Sequence, residues 1–136
     1  AEVFTSGCHG STYGGHPVAC AAALASISEI LDNDLSANAE KMGEYFKAKL
    51  IKLPHVIDAR GRGLLVGCEY DIPIALDVKW ECFKNRLLIT AIGDNTNRMI
   101  PPLILEKSHI DCAVKIMESA IIEAVKKYEE GQRKSA

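Results

Sequence analysis

An α+β domain, a small antiparallel sheet covered by helices, is the fold class that this 136-residue sequence predicts. Three observations carry the prediction. Apolar residues recur at helical spacing in four segments, and short aliphatic runs come in two pairs, each pair joined by a glycine-bearing turn. The resulting order is helix, helix, strand, strand, helix, strand, strand, helix, in which strands neighbour strands and pair into one small two-layer sheet.

Each element has its own signal. Pro17 suits a first helical turn, where a missing N–H removes no hydrogen bond, and Val18, Ala22, Ala25 and Leu31 follow near helical spacing. Asp32-Asn33-Asp34 breaks that helix, whose many alanines let other elements approach closely. A second helix is expected over 35–53, with Leu35, Ala39, Met42, Phe46, Leu50 and Leu53 on one face and Pro54 closing it. Segments 56–60 and 64–70 read as antiparallel strands around the turn Gly61-Arg62-Gly63. Asp71 is expected to cap a third helix over 73–84 that carries Ala75, Val78, Cys82 and Phe83 inward. Segments 87–90 and 98–100 read as short strands bracketing Gly93-Asp94-Asn95, after which Pro101-Pro102 keeps the chain extended. Ser108 and Asp111 form a capping-box pattern before a long final helix with Ile110, Val114, Met117, Ile121, Val125 and Tyr128 on its apolar face. The residues after Glu129 are polar and expected to fray.

Composition narrows the function classes. The apolar fraction of 48%, the charged fraction of 25% and the net charge of −2 describe an ordinary globular chain without the basic surplus that drives nucleic-acid binding. The most apolar run, 18–31, contains Ser26, Ser28 and Glu29 and is shorter than the roughly 20 residues a bilayer crossing needs. Neither nucleic acid nor membrane is an expected partner. The five cysteines are scattered and form no CxxC pair, which fits a reducing, cytoplasmic setting. Cys8, His9, His16 and Cys20 have the residue types for zinc but not the spacing, so no metal is expected.

A glycine-flanked loop ahead of a helix presents backbone N–H groups and a hydroxyl to an anion, and Gly10-Ser11-Thr12 with Gly14-Gly15-His16-Pro17 has that make-up. From these residues alone a plain turn before a helix is the favoured reading, since no Walker lysine and no strand-led GxGxxG accompany them.

The segment GSTYGGHPVACAAALA resembles the class III pyridoxal-phosphate-dependent aminotransferases, and RGRGLLVGCEY followed by GDNTNRMIPPLIL resembles the same family in the same order. These matches span residues 9 to 105. Within the family the last stretch is most similar to the acetylornithine aminotransferases, with the ornithine, succinylornithine and 4-aminobutyrate aminotransferases as near relatives.

The resemblance implies pyridoxal 5'-phosphate as cofactor, amino-acid and 2-oxoacid substrates, a homodimer, and the C-terminal small domain of a fold-type I enzyme plus one preceding helix. It assigns residues 1–34 to the tail of a large domain, 35–129 to the small domain and 130–136 to a polar tail. It implies that Thr12 holds the cofactor phosphate, across the dimer interface, and that Ser11 lies beside it near the substrate. Arg98 matches an arginine that handles the substrate carboxylate, a task suited to a planar guanidinium fork. Structural alternatives stand beside these roles: turn bonding for Ser11 and Thr12, and an ion pair of Arg98 with Asp94 or Glu69. Arg60-Gly61-Arg62-Gly63 reads as a hairpin turn with solvated arginines.

Two positions depart from the family pattern. His16 stands where relatives carry asparagine, and Arg86 stands where a glycine ends the third helix, so Asn85 is expected to take over that helix end. The catalytic lysine and the acidic partner of the pyridine nitrogen precede the glycine loop in this family, so no catalytic residue is expected in the chain, which reads as the inactive C-terminal portion of a larger enzyme. A noncatalytic α+β binding or assembly module is the alternative of another class.

Overall fold

The computed structural model describes residue 5 and residues 7–135; residues 1–4, 6 and 136, parts of the expected first segment and polar tail, lie outside the described residues. The elements follow the predicted order: α1 (Pro17–Asp32), α2 (Leu35–Leu50), β1 (Val56–Arg62), β2 (Leu65–Tyr70), α3 (Ala75–Lys84), β3 (Thr90–Ile92), β4 (Thr96–Met99) and α4 (Lys107–Ser135). The chain divides into two compact units, one ending at Asp34 and the other beginning at Leu35.

The first unit holds the glycine loop and α1. Pro17 starts the helix, and it ends at Asp32, where Asn33 returns its side-chain amide to the Glu29 carbonyl at 3.2 Å. No residue of α1 is buried; Val18, Leu24, Ile27 and Leu31 are all more than half exposed. Among the described residues no helix is long and apolar enough to cross a membrane.

The second unit is a four-stranded antiparallel sheet in the order β1-β2-β4-β3, with α2, α3 and α4 packed on one side. Strand alternation decides which side. On β2, Val66, Cys68 and Tyr70 are buried while Leu65, Gly67 and Glu69 are not, and on β4 Asn97 and Met99 are buried while Thr96 and Arg98 are not. The predicted stripe of α2, from Leu35 to Leu53, lies in the core, as do Ile110, Met117 and Ile121 of α4. Each such fully buried aliphatic side chain contributes about 2 kcal/mol through loss of water contact. Gly43 brings α2 against the β1–β2 turn, since a Cβ there would sit 2.0 Å from the Gly63 carbonyl oxygen.

One polar network crosses this core. Tyr70 donates its hydroxyl to Asn97 Oδ1 at 2.8 Å, and Asn97 Nδ2 donates to the Ala75 carbonyl at 2.9 Å, tying β2, β4 and the start of α3 together. Burial pushes the Tyr70 phenol well above its ordinary range, and for the same reason raises the Cys68 and Cys82 thiols to about 11 and about 12.

Several local expectations are corrected. α2 ends at Leu50, and turn bonds then carry Leu53 into the core before Pro54. The β1–β2 turn is Gly63-Leu64, with Gly61 and Arg62 still in the strand, and the later strands start and end about two residues from their expected limits. Asp71 does not cap α3. Its carboxylate bonds His55 Nδ1 at 2.8 Å, and the Ala75 N–H is satisfied instead by the Asp94 carbonyl at 2.9 Å. Phe83 is exposed, stacked edge-on against Trp80 with 5.8 Å between ring centroids.

The end of α3 is also different. Asn85 keeps φ at −92°, and Arg86 takes the left-handed conformation at φ 64°. The Arg86 N–H bonds the Phe83 carbonyl and the Leu87 N–H bonds the Cys82 carbonyl, the paired bonds of a Schellman ending that place the left-handed residue at 86. The Ser108–Asp111 capping box does not form; the backbone N–H of Glu106 donates to His109 Nδ1 at 3.2 Å, while Asp111 receives Lys49 at 2.8 Å and the Tyr45 hydroxyl at 2.9 Å. α4 continues through Ser135 rather than ending near 129.

Candidate functional site

The glycine loop closes on itself through local bonds. Ser11 Oγ accepts the Gly14 N–H at 2.9 Å, the Tyr13 carbonyl accepts the His16 N–H at 3.1 Å, and Gly15 takes φ +77°, a conformation glycine adopts freely. Ser11 therefore performs the turn bonding expected of it on structural grounds. Thr12 is exposed, and its hydroxyl has no partner among the described residues.

The helix behind this loop begins without a side-chain cap. His16 occupies the N-cap position but makes no side-chain capping bond, Pro17 contributes no donor, and no acidic residue lies in the first turn. The positive end of the helix dipole thus has neither a side-chain cap nor an acidic residue in its first turn, and the exposed Thr12 precedes it in the same loop. A phosphate group fits these donors. In the same loop the Thr5 hydroxyl approaches Cys8 Sγ at 2.8 Å and draws that exposed thiol below its ordinary range. Among the described residues no three His, Cys, Asp or Glu side chains converge on a metal position.

Arg98 belongs to the second unit. It sits on the face of the sheet opposite α2, α3 and α4, in a row that runs Arg60, Gly67, Arg98, Thr90 from β1 to β3. Its side chain is exposed and makes neither a hydrogen bond nor an ion pair with any described residue. The pairing with Asp94 or Glu69 that would have explained it structurally is not made. Glu69 instead bonds Arg60, whose Nη1 also contacts Asp58 Oδ2 at 2.6 Å. Arg60 is therefore an ion-paired residue within a strand rather than a solvated turn arginine, and that pairing was not foreseen.

Together the open sheet face offers a guanidinium with no partner among the described residues, beside a residue with no side chain, Gly67. A carboxylate can lie against such a surface and accept two parallel N–H bonds. Ser11 and Thr12 lie in the unit that ends at Asp34 and Arg98 in the unit that begins at Leu35, and each site stands on the geometry of its own unit.

Comparison with known proteins gives a consistent picture. The family model Aminotransferase class-III matches residues 1–121. The acetylornithine aminotransferase of Caldanaerobacter subterraneus subsp. tengcongensis is 37% identical over 125 residues, which cover 89% of this chain and 32% of that protein. Ornithine aminotransferase 2 of Staphylococcus aureus is 40% identical over 119 residues, covering 84% of this chain and 29% of the relative. The crystal structure of acetylornithine aminotransferase from Elizabethkingia anophelis superposes with a TM-score of 0.77 at 35% identity, over 90% of this chain and 34% of that one. An ornithine aminotransferase structure from Toxoplasma gondii, described as showing partial occupancy of PLP at its active site, superposes with a TM-score of 0.79 at 30% identity, over 94% of this chain and 32% of that one. The chain spans about a third of the length of the curated relatives it matches.

Proposed function

The chain belongs to the class III aminotransferases, and from that premise we propose that it is the C-terminal portion of a longer pyridoxal-phosphate-dependent enzyme that moves an amino group between acetylornithine and 2-oxoglutarate. Arginine biosynthesis in the cytoplasm is the setting this reading implies. The single observation that carries it is the exposed Arg98 guanidinium on the open face of the sheet, which has no partner among the described residues. Both substrates of such a reaction bear a carboxylate, and Arg98 would bind and orient it.

Thr12 and the uncapped start of α1 would hold the cofactor phosphate, Thr12 as a hydroxyl donor and the helix end through its dipole. Bound pyridoxal 5'-phosphate would supply the electron sink that makes a proton removable from the carbon bearing the transferred amino group, the side-chain amine carbon of acetylornithine. Within a homodimer the phosphate gripped by Thr12 belongs to the partner's site. Ser11, already holding Gly14, keeps its own hydroxyl proton to offer the substrate. The lysine that carries the cofactor and the acid that faces its ring nitrogen are assigned to the part of the enzyme preceding this chain, and the isolated chain is inactive in this reading. The exposed apolar residues of α1 support such a larger body, because a helix of this composition is ordinarily covered.

The test is an assay of the full polypeptide obtained by following the reading frame upstream. Amino transfer from acetylornithine to 2-oxoglutarate, faster than from ornithine or 4-aminobutyrate, is the expected result. Preference for either of the latter donors would move the enzyme to a neighbouring subfamily, and no transfer from any of the three would sink the reading.

A further inference from the structure

Glu69 lies one diagonal step from two arginines. Across β1 and β2, Glu69 faces Asp58 and Gly67 faces Arg60; across β2 and β4, Glu69 faces Thr96 and Gly67 faces Arg98. All of these residues are on the face turned away from Val66, Cys68, Tyr70, Asn97 and Met99. Diagonal neighbours on a sheet are about 7–8 Å apart, a gap that the long side chains of glutamate and arginine bridge. Gly67 places nothing between them. A Cβ at Gly67 would meet its neighbours only at 3.8 to 4.0 Å, so the backbone does not require glycine there.

Glu69 pairs with Arg60 and not with Arg98. The asymmetry has a visible source: Asp58, directly across from Glu69, contacts the same Nη1 of Arg60 and holds that guanidinium in place to receive the second carboxylate. Without this hold, Glu69 would be a carboxylate tethered within reach of Arg98. Tethering gives it an effective concentration in the millimolar range or above, enough to compete with a dissolved metabolite.

We propose that Arg60 is a positioning residue that keeps the Glu69 carboxylate off Arg98, leaving the Arg98 guanidinium open to the carboxylate of an incoming amino acid or 2-oxoacid. The proposal rests on the reading of Arg98 as the carboxylate-binding residue. It adds an internal competitor and the residue that restrains it.

The test uses the 136-residue chain labelled with ¹⁵N, observing arginine Nε–H signals, with Arg98→Gln identifying the Arg98 signal. In the unaltered chain, titration with 2-oxoglutarate is expected to shift that signal. In Arg60→Gln the signal is expected to move before any ligand is added, and the apparent Kd for 2-oxoglutarate to rise about threefold to fivefold, the strength of an exposed ion pair. Arg60→Gln combined with Glu69→Gln is expected to restore both. Arg60 is exposed, so the amide spectrum should stay folded in each variant. An Arg98 signal that ignores Arg60→Gln, or a double variant that fails to recover, would overturn the proposal. If the Arg98 signal moves in Arg60→Gln but Arg98→Gln leaves KM for 2-oxoglutarate unchanged in the full enzyme, the hold of Arg60 on Glu69 is upheld and the reading of Arg98 itself fails.

Discussion

The hydroxyl of Tyr70 donates to Asn97 Oδ1 at 2.8 Å in a core that leaves Asn97 wholly buried and Tyr70 only 1% exposed. Asn97 passes the connection on to the Ala75 carbonyl, so one amide joins two strands and the first turn of α3. Removing it with Asn97→Ala strands the buried Tyr70 hydroxyl, a loss of about 1–3 kcal/mol, and takes from the Ala75 carbonyl its bond to the sheet, leaving that carbonyl only its place in the α3 helix. We expect Asn97→Ala to lower unfolding stability in urea by about 3 kcal/mol and Tyr70→Phe by about 1 kcal/mol. An Asn97→Ala loss too small to measure would show that the network is not what fixes α3 on the sheet.

Arg86 holds φ at 64° because two backbone bonds close the end of α3 around it. For a residue with a Cβ, that conformation costs roughly 1–2 kcal/mol relative to glycine, part of which glycine returns through its freer unfolded chain. Arg86→Gly is therefore expected to raise stability by about 1 kcal/mol, and the β-branched Arg86→Val to lower it. Thermal unfolding of the two variants checks both signs. A loss on Arg86→Gly would mean that the arginine side chain has a stabilising contact of its own.

These two cases show what the sequence could and could not reveal. The apolar stripe of α2 was legible because Leu35, Ala39, Met42, Phe46, Leu50 and Leu53 recur on one helical face, and all six are buried. Thr12 and Arg98 were legible as candidates because their neighbours form motifs. The caps were not, because their partners arrive from elsewhere in the fold: the donor at Ala75 is met by Asp94, nineteen residues on, and that distance is fixed by tertiary structure. Asn85 was expected at the left-handed position on its own propensity, whereas the hydrogen-bond register of the helix end selected Arg86. The partner of Glu69 depended on strand register, which includes an irregularity between Val56 and Asp58 that no periodicity announces.

Glu81 accepts Lys127 and, at 2.8 Å, Lys84, linking α3 to α4. The bond from Lys127, followed by that from Lys84, holds its carboxyl below the ordinary carboxylate range. A carboxylate whose folded pKa is depressed stabilises the fold above its unfolded value, about 4.3, and loses that contribution as pH falls through the folded value. Glu81→Gln is expected to cost roughly 1 kcal/mol at pH 7. The gap between variant and parent should narrow below about pH 4.3 and vanish once both states are protonated. Unfolding midpoints at several pH values test this, and a gap that persists unchanged into strong acid would show that packing, not charge, accounts for the difference.

Arg98 and Thr12 divide the proposed chemistry between substrate and cofactor, so substitutions in the full enzyme should separate in kinetics. An uncharged amide cannot offer the planar two-donor fork that a carboxylate accepts, so Arg98→Gln should raise KM for both acetylornithine and 2-oxoglutarate. The fall in kcat/KM is expected to be roughly a hundredfold, about 3 kcal/mol, for a charge-assisted bond lost at an active site. Cofactor affinity should be unaffected. Thr12→Val keeps the shape of the side chain and removes its hydroxyl, so cofactor dissociation should rise about tenfold, about 1.4 kcal/mol, and Thr12→Ser should restore most of it. Saturating pyridoxal phosphate should rescue Thr12→Val and leave Arg98→Gln impaired. If both variants respond alike to added cofactor, the two residues do not have separate roles; if Arg98→Gln leaves KM unchanged, the guanidinium on the open sheet face does not meet the substrate.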